Sequence, residues 1–216
     1  AYEILPGLMG EALTNYFVIT NVGTLTVTPA PLGVTADNKS RSYGGVDPPF
    51  TGSVVGILHN DAIEVAYTTS AGAASPIGVY EIVPGVSGAA LGNYEVSVTN
   101  GLLTVTAASL VVKADDQVRP YGQTNAPLSV SYSGFVNGQD TNLLSGSVEL
   151  STQAGTNSPV GDYAIEVGPG TLSVADTNYT LGFFDGLITV TQAVLVVKAD
   201  DQVRPYGQRN EPLSVS

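Results

Sequence analysis

Two pairs of adjacent carboxylates, Asp115-Asp116 and Asp200-Asp201, each close the same apolar run, LVVKA. Neighbouring carboxylates with carbonyls nearby are the start of a Ca²⁺ site, which takes about six to eight oxygen ligands. No D-x-D-x-D-G loop gathers such ligands here, and the matching upstream position holds Asp37-Asn38. Solvated turn acids are therefore the primary reading, with calcium as the weaker one and no other cofactor implied. Glu81, Glu149 and Glu166 are the acids a glycosidase would have to pair, but nothing in the linear sequence brings two into one cleft. The single histidine, His59, aligns with Asn137 of the next repeat, a turn position. Without a recurring histidine neither a serine triad nor a zinc site has a basis, and the absence of cysteine removes thiolate chemistry and disulfides. The expectation is a protein that is not an enzyme.

A second constellation recurs more faithfully. Arg41, Tyr43 and Gly44 return as Arg119, Tyr121 and Gly122, and again as Arg204, Tyr206 and Gly207. Repeated along a fibre, an arginine and a tyrosine would make a ligand-binding row. The competing reading is a tyrosine packed at a sheet corner, its hydroxyl bonded to backbone, beside a glycine at positive φ. A feature present in every copy is more readily explained by the fold of every copy. A Lys–Asn isopeptide bond common to all units is excluded, because the position matching Lys113 in the first unit is Thr35.

These residues are positioned by a repeat. The string VVKADDQVRPYGQ, Val111 to Gln123, returns unchanged at Val196 to Gln208, and TNAPLSVS after it becomes RNEPLSVS. A diverged copy, VTADNKSRSYGG, runs from Val34 to Gly45. The organisation expected is a partial unit at 1–30, complete units at 31–107 and 108–192, and the opening of a further unit at 193–216. The partial units would expose strand edges and half a core, so strand exchange with copies of the chain or with adjacent repeats is expected at the chain ends.

Within a unit the apolar period is two, the period of strands. Tyr94, Val96 and Val98 alternate with polar residues, as do Leu103 and Val105. Between those runs lies Asn100-Gly101, matched by Asp185-Gly186. Such dipeptides favour type I′ hairpin turns, so each unit is predicted to close with a hairpin. Further strands are predicted at 110–114, 128–132 and 148–152 and after SPVGDY, with a turn at Asn137-Gly138 and a short helical turn within 140–144. Six or seven short strands with regular turn signals read as an all-β antiparallel sandwich.

The charge balance narrows the partners. With 19 acids against 7 bases the net charge is −12, and no basic cluster is present to track a phosphate backbone. This balance argues against nucleic acid as a partner and disfavours anionic membrane surfaces, and no apolar run reaches the ~20 residues of a membrane span.

The order of a VTADN/VKADD strand, R-x-Y-G, N-x-P-L, SP-x-G-x-Y, NY and NG-x-LTVT resembles the MBG repeat, a mostly bacterial, glycine-rich, Ig-like module. The resemblance covers the whole chain. It implies tandem Ig-like β-sandwich modules in an extended array, a secreted or cell-surface structural and adhesive role, and no catalysis. The alternative is a module that binds a surface glycan or a protein through loops such as 52–61 or 137–144.

Overall fold

The computed structural model describes residues 1–212, 214 and 215; Leu213 and Ser216, both in the RNEPLSVS stretch, lie outside the described residues. The chain forms two compact units, Ala1–Thr106 and Ala107–Ser216.

In the first unit the strands are β1 (Tyr2–Ile4), β2 (Gly23–Leu25), β3 (Ala30–Ala36), β4 (Lys39–Ser42), β5 (Gly52–Val55), β6 (Glu64–Thr69), β7 (Gly78–Ser87), β8 (Tyr94–Thr99) and β9 (Gly101–Thr106). β1 and β2 form an antiparallel ribbon of their own. The apolar residues of this segment, among them Ile4, Leu8, Phe17 and Ile19, are exposed. The other seven strands make two sheets, in the orders β5-β3-β8 and β4-β9-β7-β6. Alternation along β3 buries Leu32, Val34 and Ala36, and along β9 it buries Leu103 and Val105. Leu32, Val34 and Tyr94 pack on Val65 and Val86 of the facing sheet, which makes the unit a sandwich.

The second unit repeats the plan with β10 (Ala108–Ala114), β11 (Gln117–Pro120), β12 (Val130–Ser133), β13 (Leu144–Ser145), β14 (Glu149–Thr152), β15 (Gly161–Gly168), β16 (Ser173–Val174), β17 (Tyr179–Phe184) and β18 (Gly186–Thr191). Its sheets are β12-β10-β17 and β11-β18-β15-β14, with β13 and β16 pairing separately. Ala114, Ala154, Ile165, Ile188 and Val190 form its core, with Leu150 and Tyr163 packed against them. A 3-10 turn at Thr141–Leu143, opened by the Asp140 carboxylate accepting from the Asn142 N–H, falls where a helical turn was predicted. Asn137 and Gly138 both take positive φ, 55° and 74°, and the Gln139 N–H reaches the Val136 carbonyl, the geometry of a type I′ turn.

The predicted closing hairpins do not form. β8 lies in one sheet and β9 in the other, and neither Gly101 nor Gly186 has positive φ. The Asn-Gly and Asp-Gly steps are instead the points where the chain passes from one sheet to the other. Glycine is needed there for proximity: a Cβ on Gly101 would stand 2.5 Å from the Asp37 carbonyl oxygen, and one on Gly186 would stand 2.4 Å from that of Ala114. The sheets are therefore mixed rather than antiparallel throughout. β8 runs parallel to β3 and β9 parallel to β4, with Ala30 opposite Tyr94 and Lys39 opposite Leu103. β17 runs parallel to β10 and β18 to β11 in the same manner.

First and last strands thus lie side by side along the whole unit and switch sheets together. The unpaired backbone donor at the switch is supplied with a side-chain acceptor. Asn38 Oδ1 accepts from the Leu102 N–H at 2.8 Å, and Asp116 Oδ1 accepts from the Leu187 N–H at 2.9 Å. One expected inward face is incomplete, since Tyr94 is buried while Val96 and Val98 on the edge strand β8 remain 37% and 49% exposed.

Candidate functional site

Arg41 and Arg119 stand on the inward face of β4 and β11 and are buried, at 7% and 6% exposure. A buried guanidinium must spend its donors, and both do so in the same way. Arg119 Nε donates to Asn125 Oδ1 at 2.6 Å, and Nη2 donates to the Gly155 carbonyl at 2.6 Å. Arg41 donates through Nε to the Asp47 carboxylate and through Nη2 to the Gly72 carbonyl at 2.6 Å. The carbonyl it grips is presented by a small loop. Ser75 Oγ accepts from the Gly72 N–H at 2.9 Å, and Ser158 Oγ accepts from the Gly155 N–H at 2.8 Å. Tyr80 and Tyr163 then donate back to the carbonyls of Pro76 and Pro159, each at 2.9 Å. The S-P-x-G-x-Y signature and the arginine are thus two sides of one latch. The third arginine, Arg204, is exposed and donates to the Gln208 carbonyl at 2.9 Å.

The Tyr-Gly pair that follows is a turn. Gly45 N–H reaches the Ser42 carbonyl and Gln123 N–H that of Pro120. Gly44, Gly122 and Gly207 have φ of 72°, 85° and 86°, as the third residue of a type II turn requires. Gly122 has open space around its missing Cβ. Gly122→Ala is therefore expected to cost about 1 kcal/mol through φ alone, read from the shift in the unfolding midpoint of the second unit. The tyrosines do not share one environment. Tyr43 is buried, Tyr121 is 47% exposed and Tyr206 is fully exposed. They do not form a uniform row.

Tyr43 is buried beside the positive-φ Gly44, and two further tyrosines, Tyr94 and Tyr179, hold turns through their hydroxyls. The Tyr94 hydroxyl accepts from the Leu58 N–H at 3.0 Å and donates to the Asp61 carboxylate at 2.7 Å, and that carboxylate pushes the phenol above its ordinary range. Tyr179 accepts from the Val136 N–H at 3.0 Å and donates to Gln139 Oε1 at 2.5 Å. Each holds the turn containing His59 or Asn137; His59 is an exposed turn residue at φ 54°. The recurrence of Asn-Tyr in the sequence was the signal for these residues.

Three of the four acids, Asp115, Asp116 and Asp200, accept hydrogen bonds from within the fold. Ser129 and Ser131 hydroxyls donate to the two oxygens of Asp115, at 2.7 and 2.5 Å, and hold its carboxyl below the usual range. Asp116 caps Leu187 and stands 3.5 Å from Lys113 Nζ. Thr51 donates to Asp37 and Ser214 to Asp200 in the equivalent places, at 2.6 Å each. Asp201 is exposed. Among the described residues no three His, Cys, Asp or Glu side chains converge on a metal-sized point. A depressed carboxyl contributes stability that is present above the unfolded-state value near 4 and lost as pH falls through the lower folded value. Removing both hydroxyls, Ser129→Ala with Ser131→Ala, is expected to return the Asp115 carboxyl towards its ordinary range in an NMR titration. It would also narrow the acid-side loss of stability.

The structure brings Glu149 and Glu166 together along one open hollow with Ser151, and leaves Glu81 in the other unit. Glu81, in the first unit, accepts from Asn100 Nδ2 at 3.1 Å. Glu149 and Glu166 lie on adjacent strands of one exposed sheet face, where Ser151 Oγ donates to Glu166 at 3.4 Å.

A family model described as MBG domain (YGX type) matches residues 32–104 and 110–189. Both matched segments contain a Tyr-Gly turn, its arginine latch and the central rungs of the parallel pairing between first and last strands. No curated protein matches the chain. With two tandem matches over most of its length, the chain belongs to the MBG domain family of the YGX type.

Proposed function

We propose that the chain is a non-enzymatic structural segment of an extracellular repeat array, a stalk or filament on a bacterial surface with adhesive use. The observation that carries this reading is the path of the chain through each unit. In the first, Ala30 lies beside Tyr94 at one end and Thr106 beside Ser42 at the other. In the second, Ala108 lies beside Tyr179 and Thr191 beside Pro120. A module whose chain comes in at one end and leaves at the opposite end gains length with every added copy. The buried arginines Arg41 and Arg119 support the same reading, because their donors are spent within the fold. No described helix is long and apolar enough to cross a membrane.

Labelling with an antibody on intact cells that make the protein is the test. Signal without lysis is expected, and signal only after lysis would overturn the surface role. Calcium is not required in this reading, so a thermal melt with excess chelator is expected to keep the midpoint measured without it. A fall in the midpoint would reinstate the acid pairs as ligands.

One observation favours ligand binding as a second reading. In the first unit Leu58, His59, Asp61, Asn93 and Tyr94 line a cleft of about 360 Å³, within reach of the loop 52–61. Its carboxylate, amide and imidazole are groups that hydrogen-bond a sugar. A glycan array probed with the whole chain separates the readings: specific binding lost in Asp61→Asn supports the second, and no binding supports the first.

A further inference from the structure

We infer that each unit is built to resist tension, because force applied through the chain ends loads its parallel seam in shear. The inference deepens the array role proposed above and rests on that role for its biological setting.

The geometry is set by register. β3 and β4 carry the incoming chain and β8 and β9 the outgoing chain, and they run side by side in the same direction. Tension pulls the incoming strand backwards and the outgoing strand forwards. Parallel neighbours so loaded must slide past one another, and the rungs between them share the load and fail together. A terminal strand held in an antiparallel hairpin would instead be peeled from its end, one rung at a time.

Two features keep the seam continuous. At the sheet switch, where the ladder would otherwise lose a bond, Asn38 and Asp116 accept from Leu102 and Leu187. At the outgoing end Tyr43 N–H reaches the Thr106 carbonyl and Tyr121 N–H reaches that of Thr191, each at 2.8 Å. Leu32, Val34, Leu110, Val112, Val105 and Val190 on the seam strands are at most 3% exposed, so the seam is packed against the core on its inner side. Beside the seam, the arginine latch ties the incoming strand to the loop before β7 or β15. Resistance to force follows the height of the unfolding barrier rather than the equilibrium stability, and a seam that fails all at once raises that barrier.

The chain contains no cysteine, so introduced cysteines are unique handles for single-molecule pulling on the full chain. Handles at Ala107→Cys and Gln192→Cys load the second unit along its seam. Handles at Ala107→Cys and Thr177→Cys sit at the same end, next to the Ala108–Tyr179 rung, and peel β10 from β17. The unfolding force is expected to be several-fold higher in the first geometry, with a released length on the order of 250–300 Å for the unit at roughly 3.3–3.6 Å per residue. Asp116→Ala is expected to lower the force in the first geometry and leave the second nearly unchanged. Equal forces in the two geometries would overturn the seam inference. That failure is distinct from failure of the array role, which surface labelling reads independently.

Discussion

Replacing Arg119 by methionine is expected to destabilise the second unit by roughly 3–5 kcal/mol, the sum of two charge-assisted hydrogen bonds in a buried site. Methionine keeps the aliphatic stem and removes only the guanidinium, so the loss reports on the bonds rather than on packing. It strands Asn125 Oδ1 and the Gly155 carbonyl, which sit on two different loops. Asn125 also donates to the Ala154 carbonyl at 2.7 Å, so the network loosens as a whole. Lysine would not rescue it, because one ammonium cannot present the planar fork that reaches both acceptors. A module of this size has on the order of 4–12 kcal/mol in total, so the variant stands near the limit of folding. Urea unfolding followed by amide resonances assigned to each unit would show the second transition moving and the first staying. A shift below about 1 kcal/mol would mean that the latch is solvated in the native state.

Gly186→Ala is expected to cost about 3 kcal/mol, at the upper end for a methyl forced into a packed site. The obstacle is backbone, the Ala114 carbonyl 2.4 Å from the new Cβ, and it cannot step aside without parting β10 from its neighbours. The comparison with Gly122→Ala separates the two uses of glycine in this fold. One position needs an unusual φ in open space, and the other needs ordinary φ in no space. If both substitutions cost the same, the sheet switch is not as tight as described.

That pair of glycines also shows how far the sequence could be read. Period-two alternation placed β9 with its buried face, and Asn137-Gly138 carried its own turn chemistry. Both depend on neighbours in sequence. Asn100-Gly101 was misread because a hairpin turn and a close backbone crossing select the same dipeptide. Only the partner strand distinguishes them, and that strand lies far upstream. The latch was half legible. Arg119 was legible as a recurring residue, but its burial on β11 was not, and its acceptor, the Gly155 carbonyl, is a main-chain group that leaves no mark in composition. A second kind of tyrosine went unread for a similar reason. Tyr-Gly is the louder motif, yet turn-holding hydroxyls also belong to the quieter Asn-Tyr, whose partners Leu58 and Val136 are again backbone.

The parallel seam and the residues that close it hold each unit together. Native-state hydrogen exchange resolved by residue tests this most directly, using the amides of Leu102, Leu187, Tyr43 and Tyr121. Leu102 and Leu187 are the most informative, because their side chains are exposed at 43% and 48% while their N–H groups are held by Asn38 and Asp116. All four are expected to exchange only through global unfolding of their unit, as slowly as the core amides of Leu32 or Ile188. Exchange of Leu102 and Leu187 at the rate of exposed loop amides would contradict it, and would mean that the first and last strands part at the switch while the rest of the sandwich stays folded.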